Sequence, residues 1–208
     1  MEDKGSKRKL VISVNKQCKL KIIEQIEKSI CKIIKIDETF GTGFFCNIPH
    51  QCQNLKVLIT SNQLINRSYI NNNKIINISF DDDKILKEIK LDDTKAIYTS
   101  KYDGITIIEI NEKEFRDNKD IIYLDLDDKL YNIDTIKTCY IIQYTKDKKI
   151  VAFYENIDDI NENQIKYSYP FDNSSIGFPI FNLSNNKIIG IYQKGNFGTI
   201  LNPAINFK

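Results

Sequence analysis

A single histidine, a single methionine and no tryptophan leave this 208-residue chain short of several chemistries. Imidazole is the usual proton-transfer group near neutral pH, and only His50 can supply one. A histidine-rich metal centre is therefore excluded. Cys46 and Cys52 flank His50, but no fourth ligand for a tetrahedral zinc is evident, so no metal site is expected. The five cysteines (Cys18, Cys31, Cys46, Cys52 and Cys139) are odd in number and form no CxxC pair. They read as buried free thiols in a reducing, cytoplasmic setting. Met1 to Lys9 are charged rather than apolar, which predicts no signal peptide. No apolar run approaches the roughly 20 residues that span a bilayer. Nothing in the chain calls for a cofactor.

Charge of one sign is also scarce. Lysine outnumbers arginine 27 to 3, yet Asp and Glu are interleaved with it and the net charge is only +2. The isoelectric point, about 8.1, lies below the value of about 9 common in nucleic-acid-binding domains. The one basic cluster, Lys7-Arg8-Lys9, reads as part of a solvated tail, so a nucleic-acid partner is not expected. The abundance of Lys, Ile, Asn and Asp is read as the coding bias of an AT-rich genome. With 41% hydrophobic and 28% charged residues, the composition suits a globular chain of one domain or two small lobes.

Periodicity divides the chain. Residues 1–17 read as a tail with an apolar patch at Leu10–Val14, and residues 19–28 carry Leu20, Ile22, Ile23 and Ile26 at helical spacing. From Ser29 onward about a dozen short β-rich runs alternate with polar turns, the signature of a sandwich or a pair of barrels. The expected division is a tail and short helix over 1–28, a first β-barrel over 29–111, a linker over 112–134 and a second barrel over 135–208. Asn71–Asn73 and Asp81–Asp83 read as hairpin tips, and the latter lacks the spaced oxygens of a calcium loop.

Four segments carry a resemblance. They are Gly41-Thr-Gly-Phe-Phe-Cys46, Val57-Leu-Ile-Thr-Ser-Asn-Gln63, Ile97 to Ile110 around Asp103, and Ser174-Ser-Ile176-Gly-Phe-Pro-Ile180 followed by Lys187 to Ile191. In that order they resemble the trypsin-like serine peptidases of the intracellular type found in protists and large DNA viruses. The resemblance runs from Ser29 to the end. It implies an all-β fold of two packed six-stranded antiparallel β-barrels with a cleft between them, preceded here by the short helix.

The resemblance puts Gln63 where the family has its histidine and Ile176 where it has its serine. An amide does not titrate near neutral pH and cannot act as a general base, and the Ile176 side chain has no nucleophilic atom. Asp103 matches the carboxylate position, although alignment from the following strand places Gly104 there instead. Ser174, Ser175 and Gly177 form an altered oxyanion loop, with Ser174 where the family has glycine. These departures imply a non-catalytic pseudoprotease that binds a protein or peptide partner as a scaffold or decoy. The alternative is a hydrolase of another class, for example a nuclease, that reuses the cleft and needs His50, a lysine and a tyrosine in one pocket.

Overall fold

The computed structural model describes residues 15–50, 53–80, 85–115, 121–128, 136–145, 147, 149–161, 164–167, 176–195 and 197–201. Helix α1 (Lys16–Lys28) starts earlier than its apolar spacing predicts. The reason is Asn15, whose side chain accepts the Cys18 N–H at 2.8 Å and satisfies one of the donors left open at a helix start. Ile22 and Gln25 form its buried face. No helix among the described residues is long and apolar enough to cross a membrane.

Seven strands follow in series: β1 (Ile30–Ile34), β2 (Phe40–His50), β3 (Gln53–Ser61), β4 (Ile75–Phe80), β5 (Ile85–Lys90), β6 (Ile97–Ser100) and β7 (Ile105–Glu109). They pair in the order β5-β4-β1-β2-β3-β7-β6. A short strand, β8 (Leu124–Asp125), adds to β2 in parallel. Side chains alternate across β2 as a strand requires: Phe44 and Cys46 join one apolar cluster, and Phe45 joins another. Between β3 and β4 lies α2 (Arg67–Asn72), capped by the Asn66 side chain on the Tyr69 N–H. Asn71–Asn73 are thus a helix end and its cap, not a hairpin tip. Local capping by Asn66 outweighs the turn preference of the asparagine run. Asp81–Asp83 lie outside the described residues.

The second half closes on itself. Strands β9 (Thr138–Tyr144), β10 (Ile150–Asn161), β11 (Gln164–Tyr167), β12 (Pro179–Asn182), β13 (Ile188–Lys194) and β14 (Phe197–Ile200) form a barrel ordered β10-β11-β14-β13-β12-β9. Closure leaves no unpaired edge. The expected two-barrel architecture is present with one difference of detail. The first sheet has eight strands, and its ladder runs from β5 to β6 without closing among the described residues.

The two halves share a core. Phe44, Ile59 and Ile107 of the first sheet pack in one cluster with Tyr140, Phe181 and Ile191 of the barrel, where the Tyr140 and Phe181 rings stack at 4.7 Å. The stretch read as a linker contributes as well: Leu124 and Leu126 are buried in this cluster, and Leu126 bridges to Ile188.

Candidate functional site

A groove of about 800 Å³ lies where the end of β3, the β6–β7 turn and the barrel meet. One wall is a single turn after Ser61. The Ser61 carbonyl accepts the N–H groups of Leu64 and Ile65, and the Ser61 hydroxyl accepts that of Gln63 at 3.1 Å. This tight turn sends Leu64 and Ile65 into the core and leaves Gln63 exposed in the groove. Asn62 ties the turn to its neighbour: its N–H bonds the Gly104 carbonyl at 2.8 Å and its side chain donates to Thr99 Oγ1 at 2.5 Å.

The same wall continues into the β6–β7 turn, and Gln164, Gln193 and Thr199 of the barrel form the other wall. Asp103 Oδ2 accepts the Tyr98 hydroxyl at 2.8 Å. Burial pushes the Tyr98 hydroxyl up, and the neighbouring carboxylate adds to this, so Tyr98 keeps its proton and acts as donor. The barrel fastens the same turn. Gln193 Nε2 at 3.1 Å and Thr199 Oγ1 at 3.0 Å both donate to the Asp103 carbonyl. Gly104 follows at φ +72°, a left-handed backbone, with the Gln193 amide where a Cβ would project. The carboxylate in this turn therefore belongs to Asp103, and its bond is to Tyr98. No hydrogen bond joins it to Gln63 among the described residues.

Ile176 stands apart from the groove. Its carbonyl accepts the Thr42 N–H at 3.0 Å, and its half-buried side chain packs against the cluster that contains Leu64 and Ile65. Gly177 comes next at φ +81°. A Cβ there would lie 2.7 Å from the Thr42 carbonyl oxygen and 2.8 Å from the Ser61 nitrogen, so the backbone of this loop rests on the first sheet. Ser174 and Ser175 lie outside the described residues. The structure thus brings Gln63 and Asp103 to one groove and places Ile176 beside the core. His50 ends β2, paired with Gln53, and does not line the groove, which does contain Lys101 and Tyr102.

Groove residues Asn62, Gln193 and Thr199, and Tyr98 behind Asp103, were not anticipated from sequence. Tyr98 and Asn62 lie inside quoted segments, and Gln193 follows the Lys187–Ile191 segment by two residues. The signal available was proximity to a motif, since their roles rest on contacts between distant strands.

Solved structures share the overall fold, among them the following two. The chain matches Deg5 with a TM-score of 0.62 at 13% identity, covering 91% of both chains. It matches the serine endoprotease from Yersinia pestis with a TM-score of 0.60 at 10% identity, covering 92% of this chain. The fold is that of the trypsin-like serine proteases. This chain spans 64% of the Yersinia protein's length. No protein-family model matches the sequence, and no curated protein does.

These likenesses correct one expectation. Gln63 and Ile176 led to a reading of the chain as a non-enzyme, whereas a solved structure that shares its fold is a serine endoprotease. The physical weakness of the earlier inference is that two substituted positions remove two particular groups. They say nothing about a hydroxyl supplied from an adjacent residue.

Proposed function

We propose that this protein engages an extended polypeptide in the groove between the first sheet and the barrel. The observation that carries the reading is the clamp at Asp103. Gln193 and Thr199 of the barrel both bond the carbonyl of a turn in the first sheet, which fixes a two-walled cleft at the junction. A cleft at such a junction is the usual place for a ligand, and the fold it shares with a serine endoprotease supports a peptide as that ligand.

Residue chemistry limits how a bound peptide would be cut. The Gln63 amide cannot take a proton near neutral pH, and Ile176 offers no nucleophile. Cleavage by this chain therefore requires a nucleophile from a residue other than 176 and a base other than residue 63. Ser174 and Ser175 are the hydroxyls nearest in sequence.

The test is a pool of fluorescent peptides titrated against the protein, with mass spectrometry of the peptides afterwards and a fluorophosphonate label on the protein. Saturable binding is expected, and Gln63→Trp, which adds bulk at an exposed groove position, should abolish it. A pool with no binder, or binding indifferent to Gln63→Trp, would overturn the reading. Cleavage fragments with a label on Ser174 or Ser175 would assign the nucleophile.

A further inference from the structure

The groove has a charge preference written into its walls. Arg67, the first residue of α2, and Lys101, within the β6–β7 turn, both line it. Both side chains are exposed, and neither forms an ion pair with a described residue. Among the described residues, Asp103 is the one acidic side chain lining the groove, and the Tyr98 hydroxyl holds its Oδ2. The other described lining residues are amides, hydroxyls and Gly104, apart from Tyr102, whose ring stands 92% exposed at the rim.

From this distribution we infer that the groove selects acidic polypeptide segments. The inference rests on the peptide-binding reading above and deepens it. Arg67 offers a planar fork of donors that matches a carboxylate in two bonds, and Lys101 adds a point charge in the same groove. The Tyr102 ring supplies rigid contact area at little entropic cost, which aromatic side chains provide at recognition surfaces. A segment alternating Asp or Glu with small polar residues satisfies both cations and leaves its backbone for the groove amides.

The experiment uses the full chain and four fluorescent probes of equal length: a Glu/Ser peptide, a Gln/Ser peptide, a Lys/Ser peptide and a single-stranded oligonucleotide. At low salt the acidic peptide should bind about tenfold tighter than the neutral one, since an exposed charge contact is worth a few-fold each. The preference should shrink as salt approaches 0.5 M. Arg67→Glu with Lys101→Glu should reverse it toward the basic peptide, and both positions are exposed, so circular dichroism should remain that of the wild type. Equal binding of acidic and neutral peptides, both blocked by Gln63→Trp, would refute the charge preference and leave the peptide cleft standing. An oligonucleotide bound more tightly than the acidic peptide would also refute it. Binding of no peptide at all would sink both readings.

Discussion

Gly177→Ala should destabilise the protein by about 2–5 kcal/mol, through two effects that the structure separates. The first is backbone strain. Gly177 has φ +81°, and a left-handed conformation costs a residue with a Cβ about 1–2 kcal/mol. The second is packing. The new methyl would lie 2.7 Å from the Thr42 carbonyl oxygen, 2.8 Å from the Ser61 nitrogen and 2.9 Å from Thr60 Oγ1. Two of these are backbone atoms, and Thr60 Oγ1 already donates to the Thr42 carbonyl at 2.9 Å, so none yields freely. Overpacking of this kind adds about 1–3 kcal/mol. Gly195 provides the control. It has φ +66°, yet a Cβ there meets nothing within 4 Å, so Gly195→Ala reports strain alone. Urea unfolding of both variants should show the Gly177→Ala midpoint well below that of Gly195→Ala, at an unchanged slope. Equal midpoints would refute the reasoning and mean that the Gly177 loop does not rest on the first sheet.

Other outcomes follow from the same contacts. Ile176→Ser should cost about 1 kcal/mol in a urea titration, because the side chain is only half-buried against the Leu64 cluster; no loss would mean that this packing is absent in solution. Lys95 donates to both carboxylate oxygens of Glu114 at 2.6 Å, with side chains 5% and 16% exposed, so Lys95→Met should cost about 3 kcal/mol by leaving a poorly solvated carboxylate unpaired. Burial pushes the Cys31, Cys46 and Cys139 thiols up, so the folded state keeps protons that the unfolded chain releases above about pH 8.5. Stability should therefore be intact below that pH and fall as pH rises beyond it, and a triple Cys→Ala variant should show a shallower fall. A wild-type midpoint flat between pH 8 and 10 would contradict this.

The fold was legible in sequence because its signals are local. Strands such as β9 (Thr138–Tyr144) alternate or run largely apolar over the length of one β-element, and polar turns punctuate them. The early start of α1 was hidden because it rests on one cap, Asn15, rather than on apolar spacing. The site was half legible. Gln63 and Asp103 do share a groove, but Gln193 and Thr199 reach it from strands about 90 residues further on, and only the barrel's closure brings them there. Asp103 also turned out to serve Tyr98 within its own hairpin, a bond that neither register drawn from the sequence contained. The reading of function failed where it inferred the absence of an activity from two residues.

The central claim is that a polypeptide lies between the two walls of the groove. A tight-binding peptide from the pool, rebuilt with a photoreactive residue at each position in turn, tests it most directly. The account predicts crosslinks on both walls: to Gln63 or Tyr102 of the first sheet from some positions, and to Gln193 or Thr199 of the barrel from others. Crosslinks confined to α1 and the β12–β13 turn, or spread over the surface without preference, would contradict it.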